Sequence, residues 1–568
     1  MCDGVPVEMS IEPGESLLSV LRERLGVMSV KDGCAPQGQC GCCTVLVDGS
    51  PRVACVTPVE RVAGRSVTTV DGLDPEQRDA LVDAFVATGG SQCGFCTPGI
   101  VVRAAALLAK TEATETAIDR ALAAHLCRCT GWRTVQEAIS LASAPRSGRA
   151  GRRDPDAGAR RAELEGGAPQ RVARDVPLGA GGFADDSAPR DALVAVPCPL
   201  GSDAATVEAA GMGWVVGESL HGARAAAGKI QGRRSTLAAI PPLALPPCPD
   251  GGVRLATSWV EPAYLEPDAS WCDPGGRPAS PLANGGAFGG KTDSAAAAAA
   301  CELADRFGRT VRVVFSREDV VRIGPKRPPI AATAVFHGLT LTLDGIVVGD
   351  AMPTVSGAAP YALDSPVEQW TSARVPGPLT SATLRAFPFA ERTVLLEGAL
   401  SEAGVDRAGL IRDDRVAAVL LDACAMEPGS GAVAGARVTM DPEHGTVAGV
   451  EVRVAAGDPL DDVVLRSYCI GAAHLALGWV LTEGLTVDPE TGEVLDLTIR
   501  SFGVIRAKDT PPITVTIVDD LGPARARSSD AVFAAVAAAT WNAVARADGA
   551  RPEAFPALET RAARRLRR

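Results

Sequence analysis

Ten of the sixteen cysteines lie between Cys2 and Cys129, and eight of these fall into two groups with ligand-like spacing. The first group is Cys34, Cys40, Cys43 and Cys55, separated by five, two and eleven residues. It sits in a glycine-rich loop, Gly33-Cys-Ala-Pro-Gln-Gly-Gln-Cys-Gly-Cys-Cys43. Iron–sulfur clusters need thiolates converging from one wrapped loop, with small residues so that backbone N–H groups can approach the sulfurs. Plant-type [2Fe–2S] loops have four residues in the first gap. Here there are five, and Cys42 adjoins Cys43, so Cys42 stands as an alternative ligand to Cys40 or Cys43. Cys43 is preferred because it keeps the two-residue gap from Cys40. The second group is Cys93-Gly-Phe-Cys96, then thirty residues, then Cys127-Arg-Cys129. Its competing reading is structural zinc, which four cysteines also hold. Two such groups within one short stretch favour iron–sulfur.

The elements that must position these groups follow from local patterns. Leu17, Leu18, Leu21 and Leu25 predict a helix over 15–25, stopped at Gly26. Thr44–Val47 and Pro51–Ala54 flank Asp48-Gly49, a tight-hairpin signal. From Asp74 the pattern turns helical, with Asp74 as cap, Pro75 in the first turn and Gly89-Gly90 as stop. Further helices are expected from Thr97-Pro98, over 115–124, and after Thr130, which makes a four-helix bundle. Cys96 then directly precedes a helix N-terminus, where the dipole favours a thiolate. Trp132 reads as a shield beside the second group. The Arg-, Gly- and Ala-rich stretch 146–175 reads as a linker. Beyond it, strands are expected over 310–315, 339–343 and 513–518, a hairpin turn at Asp344-Gly345, and helices over 294–307 and 530–545.

At 568 residues the chain predicts three or four domains. A hydrophobic share of 46% and a charged share of 22% are ordinary for a globular protein. The net charge of −12 argues against capture of nucleic acid, and only six of 56 basic residues are Lys. No uninterrupted apolar stretch reaches the roughly 18 residues of a membrane span, and the start shows no signal peptide. A soluble, cytoplasmic chain with reduced thiols is therefore expected. On that basis Cys198, Cys248, Cys272, Cys301, Cys424 and Cys469 are expected as single, inert thiols. The five histidines show no metal-ligand spacing and read as surface or packing residues.

Three stretches, Gly38-Gln-Cys-Gly-Cys-Cys-Thr-Val45, Gln92-Cys-Gly-Phe-Cys-Thr-Pro-Gly99 and Leu126-Cys-Arg-Cys-Thr-Gly-Trp132, closely resemble the iron–sulfur module of the molybdenum hydroxylases. That family includes xanthine dehydrogenase, aldehyde oxidoreductase and carbon monoxide dehydrogenase. The resemblance implies an α+β protein with a β-grasp ferredoxin domain (1–75) and a helical domain (76–145), each holding one [2Fe–2S] cluster. It also implies that Gln92 contacts a pterin. The remainder resembles the family's molybdopterin-binding subunit in shortened form, as a remnant of its hammerhead-like domain (176–235) and a molybdopterin-binding-like region (236–568). The segments that carry this likeness are Gly182-Phe-Ala-Asp-Asp186, Val260-Glu-Pro-Ala-Tyr-Leu-Glu-Pro267, Gly285-Gly-Ala-Phe-Gly-Gly-Lys291, Ser316-Arg-Glu318, Thr383-Leu-Arg-Ala386 and Gly478-Trp-Val-Leu-Thr-Glu-Gly484. By that likeness Gly285, Gly286, Ala287, Phe288 and Gly289 line the cofactor, and Arg385 is a substrate-side catalytic residue.

The resemblance also exposes departures. The family's general-base glutamate falls at Leu521-Gly-Pro523, so Pro523 stands in its place. Loss of a general base costs roughly 10²–10⁴-fold in rate. Loops that cradle the pterin are shortened as well. The family reading implies hydroxylation of an aldehyde or N-heterocycle, with electrons leaving through both clusters to a separate FAD-containing subunit or other acceptor. The rival is an electron-transfer or scaffold subunit with a degenerate molybdenum site. A third reading takes Gly285-x4-Gly-Lys-Thr292 as a nucleotide-binding loop with Asp422 as its partner acid. That reading lacks the hydrophobic strand such a loop requires, since Arg277–Asn284 is polar and proline-rich.

Overall fold

The computed structural model describes residues 1–143, 153–198, 206–228, 237–279, 286–350, 360–364 and 366–566. Its class is mixed α+β, as expected. Near the amino end, Thr44–Val47 is the centre of a three-stranded sheet, flanked by Ser50–Val53 and Val67–Thr68. Val47 opposite Ser50 places the turn at Asp48-Gly49. The expected first helix is one α-helical turn, Leu17–Ser19, capped by the Ser16 side chain, and a wider π-helical turn, Val20–Arg24. Four helices follow: Pro75–Thr88, Thr97–Leu108, Glu115–Leu122 and Arg133–Ser143. Asp74 caps the first through Gln77 N, and Gly89 ends it in the left-handed region. Leu81, Phe85, Val101, Ile118, Val135 and Ile139 fill a core that takes in cysteines of both groups.

The stretch expected as a linker holds a helix, Pro155–Gly166, capped by Asp154 and ended at Gly167. Its buried face is ionic rather than apolar, which is why composition concealed it. Arg161 pairs with Glu165, and the other Glu165 oxygen accepts from Ser529 N at 2.7 Å.

Among the described residues the remaining chain builds three sheets. Val207–Ala209, Met212–Gly217, Leu193–Pro197, Val311–Val314 and Ala269–Cys272 form one, packed by the helix Ala296–Phe307. This sheet therefore draws strands from both sides of the expected division at 235. A second runs Val367–Ala373, Thr340–Val348, Ile330–His337, Val253–Thr257 and Ala554–Phe555. A third runs Ala423–Met426, Val433–Met440, Val447–Ala455 and Ile513–Ile517. Helices Phe389–Glu402, Asp462–Leu481 and Ser528–Asp548 pack among the latter two. The expected turn at Asp344-Gly345 is wrong, because both residues sit inside a strand. The hairpin instead turns at Gly338-Leu339, with His337 opposite Thr340. Gly345 is required there because a Cβ would lie 2.3 Å from the Trp370 ring of the next strand. Among the described residues, only Asp462–Leu481 is long and apolar enough to cross a membrane, and it is buried in the core.

The expectation of single thiols fails at one pair. Cys272 and Cys301 are joined in a disulfide that ties a strand to the helix packed on it. Closing a loop across 29 residues of separation stabilises by about 3–4 kcal/mol in the chain-entropy treatment. Cys301→Ser is therefore expected to lower the apparent melting temperature by several degrees. A wild-type protein with equal stability in reductant and oxidant would contradict the bond.

Candidate metal centres

Cys34, Cys40, Cys42, Cys43 and Cys55 are all buried. The Cys34 sulfur lies within hydrogen-bonding reach of Cys40 and Cys55, and Cys55 within reach of Cys43. Backbone N–H groups close on the same sulfurs. Gln39 N and Cys40 N each donate to Cys34 Sγ at 3.3 Å, and Cys55 N donates to Cys43 Sγ at 3.4 Å. Cys42 touches Cys40 alone among these thiols and packs in the bundle core, whereas Cys43 packs with Cys55. The Cys40 and Cys55 thiols donate to Cys34 and hold its thiol well below its ordinary range.

In the second group the sulfurs of Cys93 and Cys129 are 3.5 Å apart. Cys127 lies within reach of both Cys129 and Cys96, and 3.1 Å from Thr130 Oγ1. Contacts from Cys129 and then Cys96 push the Cys127 thiol well below its ordinary range. Each group thus has four sulfurs linked in a chain of contacts, with one favoured as thiolate. This donor set fits a thiolate-ligated metal cluster in a dry pocket. Cys96 immediately precedes Thr97–Leu108, as expected, but Cys127 and Cys129 lie in the loop between Glu115–Leu122 and Arg133–Ser143. Trp132 is fully buried, its Nε1 donating to Ile505 O at 3.2 Å.

The two loops are packed on each other. Leu126 N donates to Cys40 O at 2.9 Å. Gly99 permits this approach, since a Cβ there would meet Gly41 O at 2.4 Å. His125 Nε2 lies 3.2 Å from Thr44 Oγ1, and burial lowers its pKa to about 4, which keeps the ring neutral. On the far side, Gly471 of the core helix lets Cys129 O approach, where a Cβ would sit at 1.8 Å.

A buried charge network adjoins the second group. Arg128, between the ligand candidates Cys127 and Cys129, grips Glu483 bidentately at 2.6 and 2.7 Å. Arg385 Nη1 lies 2.7 Å from Glu483 Oε2, and its Nη2 donates to Glu261 O at 2.5 Å. Glu261 also pairs with Arg317 and Lys326, and Arg327 pairs with Glu391 while donating to Arg385 O. Five cations thus face three carboxylates. Among the described residues Arg317 Nε, Arg327 Nη2 and Arg385 Nε are buried without a hydrogen-bond partner. Burial holds Lys326 well below its ordinary range, and Glu261 Oε2 and Glu391 Oε2 are orphaned in the same network. The free N–H groups of Arg317, Arg327 and Arg385 are therefore the donors that could meet an anionic group such as a pterin phosphate.

The other residues singled out from sequence are placed as follows. Gln92 is buried, and its amide donates to Cys129 O at 3.0 Å and Ser467 Oγ at 2.9 Å. Gly285 lies outside the described residues. Gly286 packs on Arg128, and Gly289 on Thr383, whose carbonyl a Cβ would approach to 2.5 Å. Ala287 is buried, and Phe288 O accepts from Arg385 N at 2.9 Å. Pro523 is exposed in a turn, its carbonyl against Gly457. Lys291, the lysine of the nucleotide-loop reading, is held by Glu266 at 2.7 Å, and Asp422 pairs with Arg437 and Arg546. Sequence reasoning missed Arg128 and Glu483 as partners. Their signal was only a lone Arg between two cysteines and an acid in an apolar helix end.

Two adjacent domains, each with four buried cysteines in sulfur contact, define a two-centre iron–sulfur protein. Comparison with known proteins agrees. Residues 1–63 match the 2Fe-2S iron-sulfur cluster binding domain, and residues 69–140 match the [2Fe-2S] binding domain. The xanthine dehydrogenase iron-sulfur-binding subunit of Escherichia coli O157:H7 is 39% identical over 141 residues, which are 24% of this chain and 87% of that one. The aldehyde oxidoreductase of Megalodesulfovibrio gigas is 39% identical over 152 residues, 26% of this chain but 17% of that one. The solved aldehyde oxidoreductase from Desulfovibrio gigas shares the fold with a TM-score of 0.76 at 16% identity, over 98% of each chain. The chain belongs to the molybdenum hydroxylase family, and it carries two [2Fe–2S]-binding domains.

Proposed function

We propose that this chain is an oxidoreductase of molybdenum hydroxylase type that passes electrons through two [2Fe–2S] clusters. Cys34, Cys40, Cys43 and Cys55 would hold one, and Cys93, Cys96, Cys127 and Cys129 the other. The observation that carries this reading is the meeting of four buried sulfurs in each of two touching loops. Cys43 is assigned over Cys42 because it shares contacts with Cys55. The units 1–75 and 76–145 would be the cluster domains, followed by the connecting stretch 146–175. The hammerhead-like part expected over 176–235 would extend past 235 through its shared sheet, with the rest of 236–568 molybdopterin-binding-like.

A molybdopterin, when bound, would supply the oxidation of an aldehyde or N-heterocycle. The side-chain oxygen of Gln92, the backbone of 286–289 and the free Nε–H of Arg385 are the groups that would hold it, and Arg385 would orient substrate from its pairing with Glu483. Electrons would leave to a separate FAD-containing subunit or another acceptor. A second reading is a non-catalytic electron-transfer or scaffold subunit. It is favoured by the engagement of the Gln92 amide within the protein and by the proline, Pro523, that the resemblance puts in place of the general base. Metal analysis tests both. The expected result is about four irons per chain and two EPR-active clusters after reduction, with stoichiometric molybdenum for the first reading and none for the second. A folded but colourless, iron-free protein made with a working cluster-assembly system would overturn both.

A further inference from the structure

A cavity of about 420 Å³ lies between the first cysteine loop and the sheet that contains Val311–Val314. Leu18, Phe95 and Phe315 contribute apolar wall, Glu266 and Glu318 polar wall, and Cys55 belongs to the lining. The volume suits a small ring system, and a molecule seated there rests against a residue of the first cysteine group. Glu266 is 5% exposed. Its Oε2 takes Lys291 Nζ at 2.7 Å, and its Oε1 has no hydrogen-bond partner among the described residues. Burial raises its pKa to about 7 against the pull of Lys291, so a share of the carboxyl is protonated near neutrality. Glu318 accepts from the amide of Gln37, inside the cluster loop, at 2.8 Å. The rest of the lining carries paired charges, Arg22 with Asp185 and Asp186 and Arg224 with Asp32. The site therefore offers apolar wall among ion pairs, a residue of the first cysteine group and a buried carboxyl with one free oxygen.

We propose that this cavity binds a flat, carbonyl-bearing electron acceptor of the quinone class; the assignment rests on reading Cys34, Cys40, Cys43 and Cys55 as cluster ligands. Two reduced clusters give up one electron each and end oxidised. The two electrons and two protons convert both quinone carbonyls to hydroxyls. Glu266 gives one proton, solvent gives the other, and no bond to the protein forms.

The test uses the full chain with its iron content and EPR spectrum established first. Menadione, a soluble naphthoquinone, is titrated calorimetrically into oxidised protein, then mixed anaerobically with dithionite-reduced protein freed of excess reductant. The expected results are a single binding site and a cluster reoxidation rate that saturates with menadione. Ala225→Trp, on the exposed rim of the cavity, should weaken binding by about tenfold or more, a change of about 1.4 kcal/mol, with both EPR signals unchanged. Glu266→Gln should slow reoxidation at saturating quinone. A rate linear in menadione with no measurable binding, or binding that neither substitution alters, overturns the acceptor site while the clusters stand. Absence of iron overturns the cluster reading and this site together.

Discussion

Glu483→Gln is expected to destabilise the protein by about 3–5 kcal/mol, the usual cost of removing one partner of a buried ion pair. The carboxylate is fully buried and holds Arg128 by two bonds and Arg385 by a third contact. Burial raises its pKa and Arg128 opposes that rise; the bidentate contact at 2.6 and 2.7 Å has the geometry of an ion pair. Glutamine keeps the shape but leaves two guanidiniums without a counter-charge, in a network already rich in cations. Chemical denaturation with both clusters in place measures the effect. The companion Arg128→Met in the Glu483→Gln background should recover part of the loss, and the cycle reads the coupling directly. Unchanged stability for Glu483→Gln would mean that the carboxyl is neutral in the folded protein. The second cluster should also change its EPR line shape, because Arg128 lies between Cys127 and Cys129 in sequence and fixes their loop.

Cys127→Ala is expected to remove one cluster and spare the other. Cys127 is the sulfur that Cys129 and Cys96 both contact, and it is the thiolate-favoured member of its group. Without it three thiols remain, and the iron content should fall by half, to about two per chain. One of two EPR signals should vanish. The loop also loses the metal bonds that replace apolar packing, so the helical domain should become protease-sensitive near Arg133–Ser143. Survival of both signals would assign the fourth ligand elsewhere, with Cys42 the first candidate, since it lies close enough to Cys127 to feel its charge.

The two cluster domains were largely legible from sequence. Their cysteines are spaced within short loops, and the cap Asp74 and the helix start Thr97-Pro98 act over single turns, so local pattern and final position coincide. The errors share one cause. Asp344-Gly345 carries a strong turn signal, yet strands pair on both sides of it and Trp370 covers the glycine. The Pro155–Gly166 helix looked like a linker because its buried face is Arg161 and Glu165, paired ions that no apolar periodicity reveals.

What the sequence determined by itself is the redox chemistry, because thiol identity and spacing within a loop are covalent facts that folding only draws tight. What the tertiary structure decided is which charges are desolvated and which distant side chains meet. Arg128 and Glu483 stand 355 positions apart, and Cys272 and Cys301 lie on separate elements. Their pairing depends on which segments come to cover them, and burial of a side chain is a property of its neighbours in space rather than of its neighbours along the chain.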